Sequence, residues 1–352
     1  VAAAIIARTS ALRLRIIIVS SAGLSPRTQD ATLPRARQSG HRAMKKTTRM
    51  RQLLAGEDVV VSPGVYDGYS LRLAQRAGFH TASTSGAGIA NARLGVQDTG
   101  MMSLHENVDA CRAMAASVDI PLMADADTGY GNAVTVFGVV RMFEDAGVVG
   151  INIEDQEFPK RCGHMKGKEL IHPREMAKKI EAAVKGRRDP DFIINARTDG
   201  IAVEGIEGAI ERARIYAAAG ADMIFPDTVR GEDDIKRLVD AVDIPISINI
   251  GFGIRSRPTT PLIPVKRLKE LGVKRVSVPR MLPAAALKAM ENALALLRHT
   301  LETGEVVDRP DLLFSIDDIK TLMDYETLER LEEELLLPEQ LFRKYQAEKA
   351  RI

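Results

Sequence analysis

Residues 133–154 read AVTVFGVVRMFEDAGVVGINIE. Ala133–Ala146 carries apolar side chains at helical spacing and runs into Gly147, the residue type that most readily takes the left-handed turn closing a helix. The run Gly150–Glu154 that follows is almost wholly apolar, as expected of a parallel strand covered on both faces. This unit of helix, glycine and strand recurs along the chain. Strands are predicted at Val59–Ser62, Thr81–Thr84, Leu122–Asp125, Gly150–Glu154, Phe192–Arg197, Met223–Pro226, Pro245–Asn249 and Arg275–Val278. Amphipathic segments alternate with them, among them Tyr69–Ala77, Leu104–Ala116, Pro173–Lys185, Ile206–Ala219, Glu232–Ala241 and Pro264–Leu271. Ala77-Gly78, Ala219-Gly220 and Leu271-Gly272 repeat the glycine stop. Eight βα modules argue for an α/β fold of the closed (β/α)8, TIM-barrel type. An open doubly wound sheet is the alternative, weakened by the lack of a G-x-G-x-x-G after an early strand.

After Pro283 the pattern is helical only, through Ala284–Thr303 and then Leu- and charge-rich segments to the end. The expected organisation is a barrel over 44–301 and a helical extension over 302–352, the latter folded on its own barrel or packed on a neighbouring subunit. The first fifty residues hold ten Lys or Arg and a single acid, Asp30. Residues 1–43 therefore read either as a transit-like peptide, which would imply mitochondria, or as translated sequence upstream of Met44 in a cytoplasmic protein. They are expected to be disordered.

The bulk composition is ordinary for a globular protein, with 45% hydrophobic and 27% charged residues in 352. A net charge of +2 gives no reason to invoke nucleic acid. No apolar run approaches the roughly 18 residues that span a bilayer. Two cysteines, Cys111 and Cys162, suggest a reducing compartment rather than a disulfide scaffold.

Barrel enzymes carry their chemistry at the C-terminal ends of strands, and polar residues gather there in this chain. The second strand runs into Ser85-Gly86-Ala87-Gly88, whose small side chains let backbone N–H groups approach an anion. The third ends in Asp125-Ala126-Asp127 and the fourth in Glu154-Asp155. Such carboxylates repel one another unless a cation joins them. Oxygen donors without His or Cys suit Mg²⁺, or Mn²⁺, rather than Zn²⁺. Salt bridges to Arg197 or Lys160 are the alternative. Arg197, at the end of the fifth strand, can clamp a carboxylate bidentately. Asp227 and Asn249 follow the sixth and seventh strands, where each could also be an ordinary capping residue. Between Asp155 and Ile171 lies a long polar connection of the kind that forms lids. It contains Lys160-Arg161-Cys162-Gly163-His164, where cations beside a thiol favour its thiolate.

Asp125-Ala-Asp-Thr-Gly-Tyr-Gly, Ile153-Glu-Asp-Gln, Pro159-Lys-Arg-Cys-Gly-His and Ala196-Arg-Thr-Asp, in that order, resemble the isocitrate lyase/phosphoenolpyruvate mutase superfamily. The resemblance runs from about Thr47 to Leu301 and is strongest to the 2-methylisocitrate lyase branch, with its dimethylmalate lyase and oxaloacetate hydrolase relatives. It implies that Asp125 ligates Mg²⁺ directly and that Asp98, Asp127 and Glu154 hold the metal's waters. Ser85, Gly86 and Ala87 match the turn that receives the pyruvate or glyoxylate carboxylate. Arg197 matches the Arg on the substrate's α-oxygen side. Cys162 matches the acid/base thiol of a mobile loop, with Lys160, Arg161, Gly163 and His164 around it, and Asn249 and Thr260 match positions near the other carboxylate. The resemblance also implies a homotetramer that exchanges a C-terminal helix.

Three departures stand out. Methylisocitrate lyases carry Glu at the position of Asp227, Thr-Glu in place of Gly251-Phe252, and Tyr at the position of Ser83. They leave the acids and the thiol intact. The expectation is a Mg²⁺-dependent lyase of a 2-hydroxy di- or tricarboxylate, with an oxaloacetate hydrolase or a non-catalytic carboxylate-binding protein as alternatives. Phosphoryl transfer is disfavoured, because relatives of that kind lack the thiol loop.

Overall fold

The structure, a computed structural model, describes residues 44–163, 165–253 and 259–349. His164 and residues 1–43 lie outside them. All eight expected strands are present: β1 (Val60–Val65), β2 (Ala82–Thr84), β3 (Leu122–Asp125), β4 (Gly150–Glu154), β5 (Ile193–Thr198), β6 (Met223–Pro226), β7 (Ser247–Asn249) and β8 (Arg275–Val278). Every pairing is parallel, in the order β6-β5-β4-β3-β2-β1-β8-β7. A single bridge between Ile224 and Ile246 brings β6 and β7 together, so the sheet is a nearly closed barrel of the TIM type. β1 runs three residues past its expected end. Pro63 and Gly64 resemble a turn in sequence, yet Pro63 pairs with Val278 and Gly64 with Ser83.

The connecting helices form as their signals suggest. Leu104–Ala116 begins with a capping box between Ser103 and Glu106, and Ala133–Asp145 is capped by the Asn132 side chain. At Gly147, φ is 83°, the left-handed turn that ends the quoted helix and feeds β4. The Gly-rich turn after β2 differs from expectation. Gly86–Ile89 is a helical turn continuing into a π-turn over Ala90–Leu94, and the Ser85 hydroxyl accepts from the Gly88 N–H.

One further helix, Lys46–Ala55, closes the N-terminal end of the barrel. Its Met50 and Leu54 pack on Val60, Met123, Val149, Ile193 and Met223, all at or near strand starts. Lys46 Nζ donates to the carbonyls of Ala115 (2.8 Å) and Val118 (2.6 Å), and Arg51 Nη2 reaches Asp222 Oδ1 at 2.8 Å. The interior is therefore apolar at the closed end and polar above it, where strand register aligns Ser62 with Ser277, Ser247 with Arg275, and Asn152 with Asn195.

Beyond the barrel, Met281–Thr303 is one 23-residue helix with no buried residue. Leu287, Met290, Leu294, Leu297 and Leu301 form an exposed stripe at alternating spacings of three and four. No helix among the described residues is long and apolar enough to cross a membrane.

Met50 is fully buried at the closed end. Met50→Ala is expected to lower the unfolding free energy by about 2–5 kcal/mol in a urea titration. Ligand binding at the opposite end of the barrel should be unaltered.

Candidate active site

The open, C-terminal end of the barrel gathers the carboxylates. Asp125 is positioned by backbone contacts: its N–H donates to Thr84 Oγ1 at 2.8 Å, and its carboxylate accepts from the N–H groups of Asp127 (3.2 Å) and Gly86 (3.3 Å). One N–H of the turn expected to meet a substrate carboxylate thus faces a carboxylate of the protein. Asp127 sits in the left-handed region at φ 47°, in the tight turn that leaves β3. Glu154 ends β4 and is 2% exposed.

Both Lys160 and Arg197 pair with these acids. Lys160 Nζ hydrogen-bonds Asp98 and forms an ion pair with Asp127 Oδ1 at 2.7 Å. Arg197 is shared by Glu154 (3.2 Å), Asp199 (3.0 Å) and Asp227 (3.1 Å). Lys168 adds a hydrogen bond to Asp199 and stands 3.5 Å from Asp227. Arg197 therefore meets three acids of its own chain, where a substrate clamp was expected.

The charges are unevenly compensated. Burial pushes Asp127 up to about 6, with Asp125 and Asp98 adding repulsion and Lys160 opposing. Glu154 is pushed well above the usual range by burial, against Arg197 and Lys160, and among the described residues its Oε1 has no hydrogen-bond partner. Burial would also raise Asp199, but Arg197 and Lys168 overcome it and hold the carboxyl well below the usual range. Lys160 is pulled down by burial, yet Asp127, Glu154 and Asp98 raise it further, so it stays protonated.

The connection from Asp155 to Ile171 folds over this cluster. Its two ends zip together, with Gln156 bridging Leu170 and the Glu157 N–H donating to the Glu169 carbonyl at 2.8 Å. Lys160 and Lys168, both buried, dock it on the acids. The Gln156 side chain grips the main chain of Arg161 in both directions. Cys162 is pinned by its N–H to the Asp98 carbonyl at 3.1 Å, and Arg280 Nη2 donates to its Sγ at 2.9 Å. At Gly163 a Cβ would collide with the Asp227 carboxylate and the Arg197 guanidinium, so only glycine lets the loop lie this close.

Together these residues enclose a cavity of about 60 Å³. Of the expected residues, Ser85, Gly86, Ala87, Asp98, Asp125, Lys160, Cys162, Gly163, Arg197, Asp227 and Asn249 line it. Glu154 and Asp127 stand just behind, tied to Arg197 and Lys160. Two expectations fall elsewhere. Arg161 is exposed and its guanidinium turns back toward the Lys166 carbonyl at 3.4 Å. Thr260 is buried against Val229, whose carbonyl accepts its N–H at 2.6 Å.

Sequence reading missed Arg280, Lys168, the role of Asp199, and Arg275. Arg280 could have been found, since it stands two residues past the end of β8, where barrel sites are built. Asp155, read as a companion of Glu154, belongs to a support beneath the site. It is fully buried and accepts from Thr198 Oγ1 (2.7 Å), Tyr216 Oη (2.7 Å) and the Asp199 N–H (3.0 Å).

Comparison with known proteins gives the family. The family model for phosphoenolpyruvate phosphomutase matches residues 50–298. The chain is 37% identical to 2,3-dimethylmalate lyase of Eubacterium barkeri over 289 residues, covering 82% of this chain and 98% of that protein. It is 40% identical to 2-methylisocitrate lyase of Aeropyrum pernix over 287 residues, 81% of this chain and 90% of the relative. Among solved structures, oxaloacetate acetylhydrolase bound to 3,3-difluorooxalacetate superposes with a TM-score of 0.76 at 30% identity, over 82% of this chain and 96% of the other. The chain belongs to the phosphoenolpyruvate mutase/isocitrate lyase superfamily and stands among its carbon–carbon lyases.

Proposed function

We propose that this lyase acts on a 2-hydroxy di- or tricarboxylate, with Mg²⁺ bound, and releases pyruvate or glyoxylate and a second carboxylate. The observation that carries the reading is the position of Cys162, held over the carboxylate cluster by a docked loop. A binding protein has no need of a thiol at that place.

The acids fit a hard divalent cation. Glu154 Oε1 lacks a partner, Asp127 and Glu154 resist ionisation as they stand, and every donor is an oxygen. Among the described residues no three acidic, His or Cys side chains converge closely enough to grip an ion directly. Mg²⁺ does not require that, because it keeps several waters and takes one or two carboxylates. Asp125 would be the direct ligand, with Asp98, Asp127 and Glu154 facing the ion's waters. When bound, the ion supplies positive charge beside the oxygen on which negative charge develops.

The protein's own groups account for the rest. Cleavage begins as the substrate's 2-hydroxyl proton passes to a base and its C2–C3 bond breaks. The hydroxyl carbon becomes a carbonyl, and C3 keeps the electron pair. The Cys162 thiol gives its proton to C3, and Arg280, 2.9 Å from Sγ, stabilises the thiolate left behind. Lys160 and Lys168 hold the loop down and exclude water during that transfer.

Oxaloacetate hydrolysis at the same site is the second reading. A cavity of about 60 Å³ has room for on the order of five waters, which suits a compact substrate better than a tricarboxylate. The exposed stripe from Leu287 to Leu301 supports a third element of the reading, a homotetramer in which this helix packs on another copy.

Three measurements test these readings. Methylisocitrate, isocitrate, dimethylmalate and oxaloacetate should be offered with Mg²⁺ and coupled to detection of pyruvate, glyoxylate or oxalate. At least one should turn over, and Cys162→Ser should lose roughly a hundredfold or more in turnover while keeping its response to Mg²⁺. Full activity of that variant would remove the thiol from the mechanism. Melting with and without Mg²⁺ tests the cation. Asp127 has a raised folded pKa, so its ionisation destabilises the ion-free protein as pH rises through about 6. The rise in melting temperature on adding Mg²⁺ should therefore be larger at about pH 7.5 than at about pH 5. Light scattering should report a tetramer, and Leu294→Asp with Leu297→Asp should shift it to smaller species. A monomeric wild-type chain would sink that part of the reading.

A further inference from the structure

Arg197, expected to clamp a carboxylate, is already engaged by three acids, and Lys160 by two. Beneath the cavity lies one that is not. Arg275, the first residue of β8, is fully buried. Its Nη1 donates to the Ser247 hydroxyl at 2.9 Å, and its Nη2 reaches past β1 to the Ser83 hydroxyl on β2. Among the described residues its Nε has no hydrogen-bond partner and no carboxylate is within ion-pair distance of it. Burial alone pulls the guanidinium down, to about 10, so it remains charged at neutral pH. The hydroxyl of Ser62, on the neighbouring strand, is also buried without a partner.

An unpaired buried charge is costly, and a barrel interior is ordinarily filled by branched aliphatic side chains. Here the charge stands one hydroxyl below the cavity, because Ser83, which accepts from it, lines the cavity beside Ser277, whose own hydroxyl donates to Asn249 Oδ1. A serine hydroxyl can accept from the guanidinium and donate its own proton upward.

We propose that Arg275 is the counter-charge for a second anionic group of the substrate, a carboxylate seated on the floor formed by Ser83 and Ser277. This rests on the lyase reading and narrows its substrate class to a compact acid with a carboxylate at each end. Arg275 touches no reacting atom. It is a positioning residue that acts through Ser83 and sets specificity for a dianion over a monocarboxylate.

The test compares two probes on the full chain in Mg²⁺ buffer by titration calorimetry: 3,3-difluorooxaloacetate, with two carboxylates, and pyruvate, with one. Arg275→Met should weaken the dicarboxylate roughly tenfold or more and pyruvate by less than about twofold. Melting of the ligand-free variant should be no lower than that of the wild type, since an uncompensated charge has been removed. Ser83→Ala leaves the guanidinium in place, should fold whatever Arg275→Met does, and should weaken the dicarboxylate selectively as well. Equal loss of both ligands, loss of neither, or selective loss in Ser83→Ala but not in a folded Arg275→Met overturns the proposal. A wild-type chain that bound neither probe would instead overturn the carboxylate-lyase reading, and this subsite with it.

Discussion

The mouth of this barrel is organised by the mutual repulsion of buried carboxylates. Asp98, Asp125, Asp127, Glu154, Asp199 and Asp227 converge from four strand ends and a loop, and most are almost wholly out of water. Two like charges about 4 Å apart repel by about 4 kcal/mol at an effective dielectric of 20. Several such pairs at once would rival the whole stability of a domain. The acids can persist only if cations are brought to them, and the chain supplies these from two places. Arg197 rises from β5 between three acids, and Lys160 and Lys168 descend with the loop. Asp199 is over-compensated while Asp127 and Glu154 are under-compensated, so the cluster has room for more positive charge on one side only.

The loop's place over the site follows from that imbalance. Lys160 and Lys168, two of its three lysines, are buried, and both end on carboxylates. Gln156 braces the chain between them, and Gly163 allows the close approach to Asp227 and Arg197. Cys162 is consequently delivered to the cavity by electrostatics acting on its neighbours, while Arg280 meets the thiol from the end of β8. The acids proposed to receive a cation are also the acids that hold the thiol in position.

How far this could be read in advance depended on how local each signal was. The strands were legible because a parallel strand covered on both faces is a continuous apolar run, as Gly150–Glu154 is. The cavity lining was legible because closing a barrel brings all strand ends together, whatever their separation in sequence. Charge pairing was legible only in outline: salt bridges of the acids to Arg197 or Lys160 were one of the two expectations, but which acid each cation meets was not. Arg197 meets Glu154, 43 positions away, as readily as Asp199, two away, and Lys160 reaches Asp98 across 62. No periodicity encodes such choices. The helix Lys46–Ala55 escaped notice because it buries only Met50 and Leu54, too few for an apolar stripe.

Two layers of the barrel answer to different demands, and this separates what the chain does from what it does it to. The upper layer, with its acids, Arg197 and the docked thiol, is one electrostatic unit, and changing any member would disturb the rest. The layer beneath is not bound in that way. Ser83, Ser247 and Arg275 form a short polar relay that shares no acid with the cluster above and meets it only at the cavity floor. Such a layer can change its polarity while the chemistry overhead stays intact. Ser83 is one of the places where the sequence departs from the methylisocitrate lyase pattern, and it is also the residue through which Arg275 faces the cavity. On the proposed reading, reaction class and substrate choice fall to residues that are stacked along the barrel axis but are not coupled through a shared ion pair.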